Sequence, residues 1–362
     1  MKEFKIGGLT IRIPIIQGGM GVGVSLSGLA VAVANQGGVG VISAAGLGLI
    51  HRNSALDYLQ ANIEGLKIEI QNAKEKTKGI IGVNIMVAMT NFAELAKAAI
   101  KEKVDIIFSG AGLPLELPGF LKEDSTTKLV PIVSSGRAAK IICQKWKSAY
   151  DYLPDAIVVE GPKAGGHLGF KKDQINDENY SLEELIPEVV NEVAIFEEQY
   201  GKIIPVIAAG GIYTGNDIYE IMRKGAGAVQ LGSRFVTTRE CDASPVFKQS
   251  YITANEEDME IIASPVGMPG RAIMNSFIEK IKNGLKTPVA CPYHCIKTCN
   301  AETSPYCIMA ALYNAYKGNM KKGYAFAGSN AFKAKEITTV KEIFNELTND
   351  LQTAINRDVI IV

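Results

Sequence analysis

Three sets of residues in this chain are placed to do chemistry. The first is glycine at the ends of apolar runs: Ala209-Gly210-Gly211-Ile212 follows one such run, and Gly232-Ser233-Arg234 follows the next. Turns of this kind let main-chain N–H groups converge on an anion without a metal. The amides of Gly211, Gly232 and Ser233, with the Ser233 hydroxyl, form a candidate phosphate cradle, and Gly165 and Gly166 are placed to close its third side. The second is His167, at the end of the glycine-rich turn in AIVVEGPKAGGHLGF (156–170) and one of three histidines in the chain. Imidazole titrates near neutrality, so His167 is the expected catalytic acid or base. The alternative, a histidine that only hydrogen-bonds its loop or a cofactor, stays open. His51, in a polar stretch ahead of a helix, is expected to be solvated.

A third group is Cys291, Cys295, Cys299 and Cys307, with His294 among them. Closely spaced soft ligands suit an iron–sulfur cluster or zinc. The spacing is neither the paired CxxC of zinc ribbons nor the ferredoxin pattern. A run of reduced, partly buried thiols at helical spacing is the competing reading. Cys143 and Cys241 stand apart, and six cysteines in 362 residues do not describe a disulfide scaffold.

The elements that must carry these residues are short, continuous apolar runs: 13–16, 39–42, 80–85, 106–108, 130–133, 156–159, 205–208 and 228–231. They lack polar alternation, as parallel strands buried on both faces do. Amphipathic segments lie between them, at 27–36, 91–101, 137–150, 182–200 and 216–224. Eight strand–helix units predict a (β/α)8 barrel. An open doubly wound sheet would want a GxGxxG turn after the first strand, and Gly18, Gly19, Gly21 and Gly23 do not fit that spacing. Glycine collects at the C-terminal ends of the runs, the rim where such barrels place their sites. The barrel is expected over 1–240. A smaller, mostly helical insertion bearing the cysteines follows over 241–335, with helices at 276–282 and 308–316. A closing helical segment occupies 336–362.

Bulk properties narrow the partners. Lys+Arg and Asp+Glu number 38 each, so no net field recruits nucleic acid or a membrane surface. No apolar run is long enough to span a bilayer. The N-terminus lacks the uninterrupted apolar core of a signal peptide, which makes the cytoplasm the expected compartment.

PIIQGGMGVGVSLSGLAVAVANQGGVGVIS, GVNIM, EGPKAGGHLGF and AAGGI…GAVQLGSRF, in that order, resemble the nitronate monooxygenase (2-nitropropane dioxygenase) family. The related flavin-dependent enoyl-acyl-carrier-protein reductases share these motifs. The resemblance implies an FMN-binding TIM barrel with a lid, and a small-molecule substrate: an alkyl nitronate oxidised with O2, or an enoyl thioester or quinone reduced with NAD(P)H as donor. A homodimer is the assembly considered. Carried over by motif, Gln17, Gly18, Gly19 and Met20 line the flavin, Asn84 meets its ring edge, and Ser134 or Ser135 and Glu160 lie nearby. Gly166, Gly210, Gly211, Gly232 and Ser233 hold the ribityl phosphate, and Gly328-Ser329-Asn330 face the pocket. One departure stands out: the family usually carries Glu where this chain has Lys163.

Overall fold

The computed structural model describes residues 3–52, 55–286, 291 and 293–361. Eight parallel strands form a closed barrel. They are β1 (Ile15–Gln17), β2 (Val39–Ser43), β3 (Ile80–Met86), β4 (Ile106–Gly110), β5 (Lys128–Val133), β6 (Ile157–Glu160), β7 (Val206–Ala209) and β8 (Ala228–Leu231). Each expected run is one of these strands. The ring closes where β8 meets β1, with Val229 opposite Ile15 and Leu231 opposite Gln17.

Side chains alternate in and out along each strand. Ile16, Val41, Phe108, Val130, Val158, Ile207 and Ala228 fill the interior. An N-terminal hairpin (Phe4–Ile6 with Leu9–Ile11) adds Phe4, Ile6 and Ile11 to the same cluster. Its Gly7 lies against Lys128, at the start of β5, so the hairpin plugs the N-terminal end of the barrel.

Helices Ser27–Asn35, Tyr58–Lys76, Phe92–Lys101, Gly136–Tyr150, Leu182–Tyr200 and Gly215–Arg223 cover the outside. The periodicity does not single out Tyr58–Lys76, whose apolar stripe is interrupted by Glu and Lys. Between β4 and β5 a 3-10 turn, Leu117–Phe120, stands where the eight-unit reading expects a helix. Pro114 and Pro118 there remove the donors that a helix would need. The last covering helix, Val340–Ile361, packs on Gly215–Arg223. A Cβ on Gly215 would sit 2.4 Å from the Leu351 amide, so this crossing requires glycine.

The first helix, Ser27–Asn35, has no cap of its own. Asp242 supplies one from far along the chain, its Oδ2 accepting from the amides of Leu26 (2.8 Å) and Leu29 (3.1 Å). Glu69 accepts from the Ser27 amide at 2.7 Å. Its other carboxylate oxygen lies 2.6 Å from His51 Nε2. His51 is therefore a partner in this cap and not the solvated residue expected from its polar neighbours.

Between β8 and the closing helix lies the lid. It holds helices Pro245–Thr253, Ser276–Lys282 and Ile308–Tyr316. It also carries an antiparallel hairpin, Met259–Ala263 with Pro269–Ile273, that composition did not reveal. The two-residue strand Gly166–His167 adds to this hairpin as a third member. Phe277, Tyr306 and Tyr324 give the lid a small core of its own.

Candidate active site

The alternation that fills the barrel with apolar side chains ends in a different layer at the C-terminal rim. Above Val41, Gly82, Val158 and Ala228, the next inward positions are Ser43, Asn84, Glu160 and Gln230. All four line a cavity of about 510 Å³ between the barrel and the lid. The volume lies in the range of cofactor sites. Among the described residues, the side chains of Asn84, Glu160 and Gln230 make no hydrogen bond to protein. They form a polar floor that faces the cavity.

Gly18, Gly19 and Met20 form one wall. A Cβ on Gly19 would sit 2.3 Å from that of Asn84, so glycine lets the Asn84 side chain reach the floor. Gln17 does not reach the cavity. Fully buried, its Oε1 accepts from the Val41 amide at 3.0 Å and its Nε2 donates to the Gly18 carbonyl. It mends the seam between β1 and β2, which share a single bridged pair, Ile16 with Val39. Ser135 is likewise used elsewhere, capping helix Gly136–Tyr150 through the Ala138 amide at 3.2 Å. Its neighbour Ser134 lines the cavity instead. A cap residue must turn its hydroxyl along its own helix axis, and this fixes which serine faces the ligand.

The glycines after β7 and β8 meet at the far end. Gly210 and Gly211 both have positive φ, 98° and 84°, which side-chain-bearing residues rarely adopt. The amides of Gly211, Gly232 and Ser233 donate to no protein acceptor among the described residues. The lid ties into this corner: the Gly328 amide donates to Ser233 Oγ at 2.8 Å, and Asn330 Nδ2 donates to the Gly211 carbonyl. The Ser329 amide donates to the Lys163 carbonyl at 3.0 Å, while its Oγ is buried with no partner. Unpartnered amides around glycine corners are what a phosphate would satisfy; of the expected 328–330 trio, Gly328 and Asn330 line the cavity and Ser329 does not. Gly165 and Gly166 also border the cavity.

His167 is held by the lid. Its Nε2 is 2.7 Å from Ser264 Oγ, and its ring lies edge-on to Phe326 at 5.0 Å between centroids. Burial pushes its pKa down to about 4, so the imidazole is neutral at pH 7. The buried Arg271 braces the same loop, donating to the carbonyls of Pro162 (2.8 Å) and Ala164 (3.3 Å). Ser264, Phe326, Arg271 and Gln230 escape sequence reasoning. Only Gln230 carries a local signal, its inward parity two positions after Ala228.

The cysteines do not make the metal centre that their spacing suggests. Among the described residues, no three Cys, His, Asp or Glu side chains are arranged to hold an ion. Three of the four thiols make other contacts. Cys295 is buried in an apolar cluster with Val22 and Met309. Burial, then the neighbouring Cys307, pushes its thiol up to about 12. Cys307 caps helix Ile308–Tyr316, accepting from the Ala310 amide at 3.5 Å. Cys299 Sγ lies 3.7 Å from Ser304 Oγ. The loop docks on the barrel through the Cys295 carbonyl, which accepts from the Thr90 amide at 3.1 Å, and this brings Ile296 into the cavity wall.

A closed parallel barrel with a corner of unpartnered amides, a polar floor and a lidded imidazole at one rim defines the site of a TIM-barrel enzyme. Its sequence agrees: the profile of the nitronate monooxygenase family matches residues 2–350, and the chain belongs to that family, a group of flavin-dependent oxidoreductases. It is 28% identical over 295 residues to a probable nitronate monooxygenase of Staphylococcus aureus, covering 75% of this chain and 78% of that one. It is 28% identical over 274 residues to a Mycobacterium tuberculosis protein named (3aS,4S,5R,7aS)-5-hydroxy-7a-methyl-1-oxo-octahydro-1H-indene-4-carboxyl-CoA dehydrogenase, covering 76% of this chain and 66% of that one. FabK from Thermotoga maritima superposes with a TM-score of 0.74 at 27% identity, covering 97% and 96% of the two chains. No helix among the described residues is long and apolar enough to cross a membrane.

Proposed function

We propose that the protein binds FMN in this cavity and oxidises alkyl nitronates with O2. The observation that carries the reading is the corner of unengaged amides at Gly211, Gly232 and Ser233 in the cavity lining. The donor set fits a phosphate monoester, and the polar floor of Asn84, Glu160 and Gln230 fits the ring and ribityl chain of a flavin. FMN supplies the electron exchange with substrate and oxygen. The chain's own residues do the rest. Gly18, Gly19 and Met20 give the ring a side-chain-poor wall. The lid excludes water through Phe326, Met268 and Ile296. His167, neutral and fixed by Ser264, presents an imidazole that hydrogen-bonds an anionic nitronate or takes a proton from the parent nitroalkane carbon. Lys163, the cation in the cavity lining, adds positive potential for an anionic substrate.

Nitronate-dependent oxygen uptake by the purified yellow protein tests this. A flavin-loaded protein that consumes no oxygen with propyl nitronate would exclude the substrate and leave the cofactor reading intact.

One observation favours a second reading, reduction of an enoyl thioester or quinone with NAD(P)H. The cavity, about 510 Å³, is also lined by the apolar Met86, Met89, Met309 and Leu312, more room than a small nitronate needs. Anaerobic bleaching of the flavin by NAD(P)H, reversed by crotonyl thioester, would select it.

A further inference from the structure

Among the described residues, Lys163 is the only lysine or arginine lining the cavity, and its side chain makes no hydrogen bond or ion pair with protein. The residue is exposed at the rim, but its backbone is fixed. The carbonyls of Pro162 and Ala164, before and after it, accept from the buried Arg271 guanidinium at 2.8 and 3.3 Å. Its own carbonyl accepts from the Ser329 amide at 3.0 Å. Held in this way, the side chain leaves the loop across Gly211. A Cβ built on that glycine would lie 2.9 Å from Lys163 Cβ and 3.1 Å from its Cδ. The stem therefore runs beside one of the unpartnered amides of the anion corner, with the ammonium two bonds beyond the point of contact.

The other cations around the corner are engaged by protein groups. Arg234 pairs with Glu346 and lies 4.7 Å from the centroid of the Tyr213 ring. Lys333 sits over the same ring at 5.8 Å. Lys248 donates to the carbonyls of Thr238 and Arg239. None of these three lines the cavity. Main-chain amides bring only partial charges to a phosphate, which carries about two negative charges above neutral pH. Amides alone would leave much of that charge uncompensated, and Lys163 is the formal positive charge beside them.

We propose that Lys163 is a phosphate clamp: its ammonium pairs with the phosphate of bound FMN across the Gly211 corner, and this contact selects the phosphorylated flavin over riboflavin. The inference rests on the FMN reading above and assigns the selection for phosphate to one side chain. It concerns this chain in particular, because the Glu usual at this position would oppose a phosphate dianion. A charge-assisted hydrogen bond at an open rim is also weakened by salt.

The test is the pair of dissociation constants for FMN and riboflavin, read from flavin fluorescence at pH 8, where the phosphate is a dianion. They are measured at low and high ionic strength for the wild type, Lys163→Met and Lys163→Arg. Lys163→Met keeps the stem over Gly211 and removes the charge. It should weaken FMN about fivefold or more at low ionic strength and change riboflavin by less than about twofold. The difference from the wild type should shrink at high ionic strength, and Lys163→Arg should keep most of the preference for FMN. Equal loss of both flavins in Lys163→Met would show a packing role, and no change in either would show a lysine that faces solvent. Either result overturns the inference and leaves FMN binding in place. A Lys163→Met protein that keeps its preference for FMN but needs more nitronate for half-maximal turnover would overturn it too, since the charge would then serve the substrate. Failure of the wild type to bind FMN at either ionic strength would instead overturn the cofactor reading, and the inference with it.

Discussion

Nε2 of His167 lies 2.7 Å from Oγ of Ser264, 97 residues further along the chain. The lid thus orients the imidazole that the barrel loop delivers. Ser264 accepts from the Val266 amide at 3.4 Å, which holds the hydroxyl in place. Replacing Ser264 with Ala should free the ring to rotate. Turnover of nitronate should fall about tenfold, the scale of one lost positioning hydrogen bond, with FMN affinity unchanged. Steady-state kinetics alongside a flavin titration would separate the two effects; equal loss of both would mean that Ser264 only supports the fold.

His167 also makes stability depend on pH. Its folded pKa of about 4 is below the ordinary 6.5, so the unfolded chain takes up a proton before the folded ring does. Stability is therefore lost as pH falls from 6.5 toward 4. Because the ring is partly open to the cavity, the effect is discounted to roughly 1–2 kcal/mol. Denaturant melts of the apoprotein at pH 7 and pH 5 should show His167→Asn losing less than the wild type over that interval.

At the anion corner, Gly211 has φ of 84°, and a Cβ there would meet that of Lys163 at 2.9 Å. Gly211→Ala should strain the turn and displace the amide, weakening FMN by about tenfold or more while the barrel still folds. Flavin retention through gel filtration, with circular dichroism as the control, checks this.

Asp242 accepts from two amides at the start of helix Ser27–Asn35. Asp242→Ala should cost about 1–2 kcal/mol, as loss of a cap does, and thermal unfolding would register it. Burial raises the Asp242 carboxyl to about 6, so its contribution does not follow the usual carboxylate pattern of loss at acid pH.

The cysteine segment should contain no stoichiometric iron or zinc. Cys295→Ser should leave elemental analysis unchanged and lower stability by roughly 1–2 kcal/mol, because it puts a hydroxyl into an apolar cluster. Iron or zinc at one equivalent, lost in that variant, would refute the assignment.

Much of this molecule is local in origin. Eight unbroken apolar runs declare buried parallel strands, because only a barrel or doubly wound sheet covers both faces of such strands. The glycine corner at 210–211 is legible for a similar reason: a turn with φ near 90° demands glycine wherever it sits. The direction in which a side chain points, and what fills the space opposite, belongs to the three-dimensional arrangement. Gln17 and Ser135 have the right types at the right rim, yet one closes a strand seam and the other caps a helix. The cysteines have ligand chemistry, but their loop had to dock on Thr90, and that docking turned Cys295 into an apolar cluster. The partners of His167 come from a lid hairpin distant in sequence, where no local pattern marks Ser264 or Phe326. Sequence thus determined the barrel and the ends of its strands, since these follow from short-range periodicity and backbone sterics. Only the fold decided which polar groups were left without protein partners, because that depends on contacts between segments far apart along the chain.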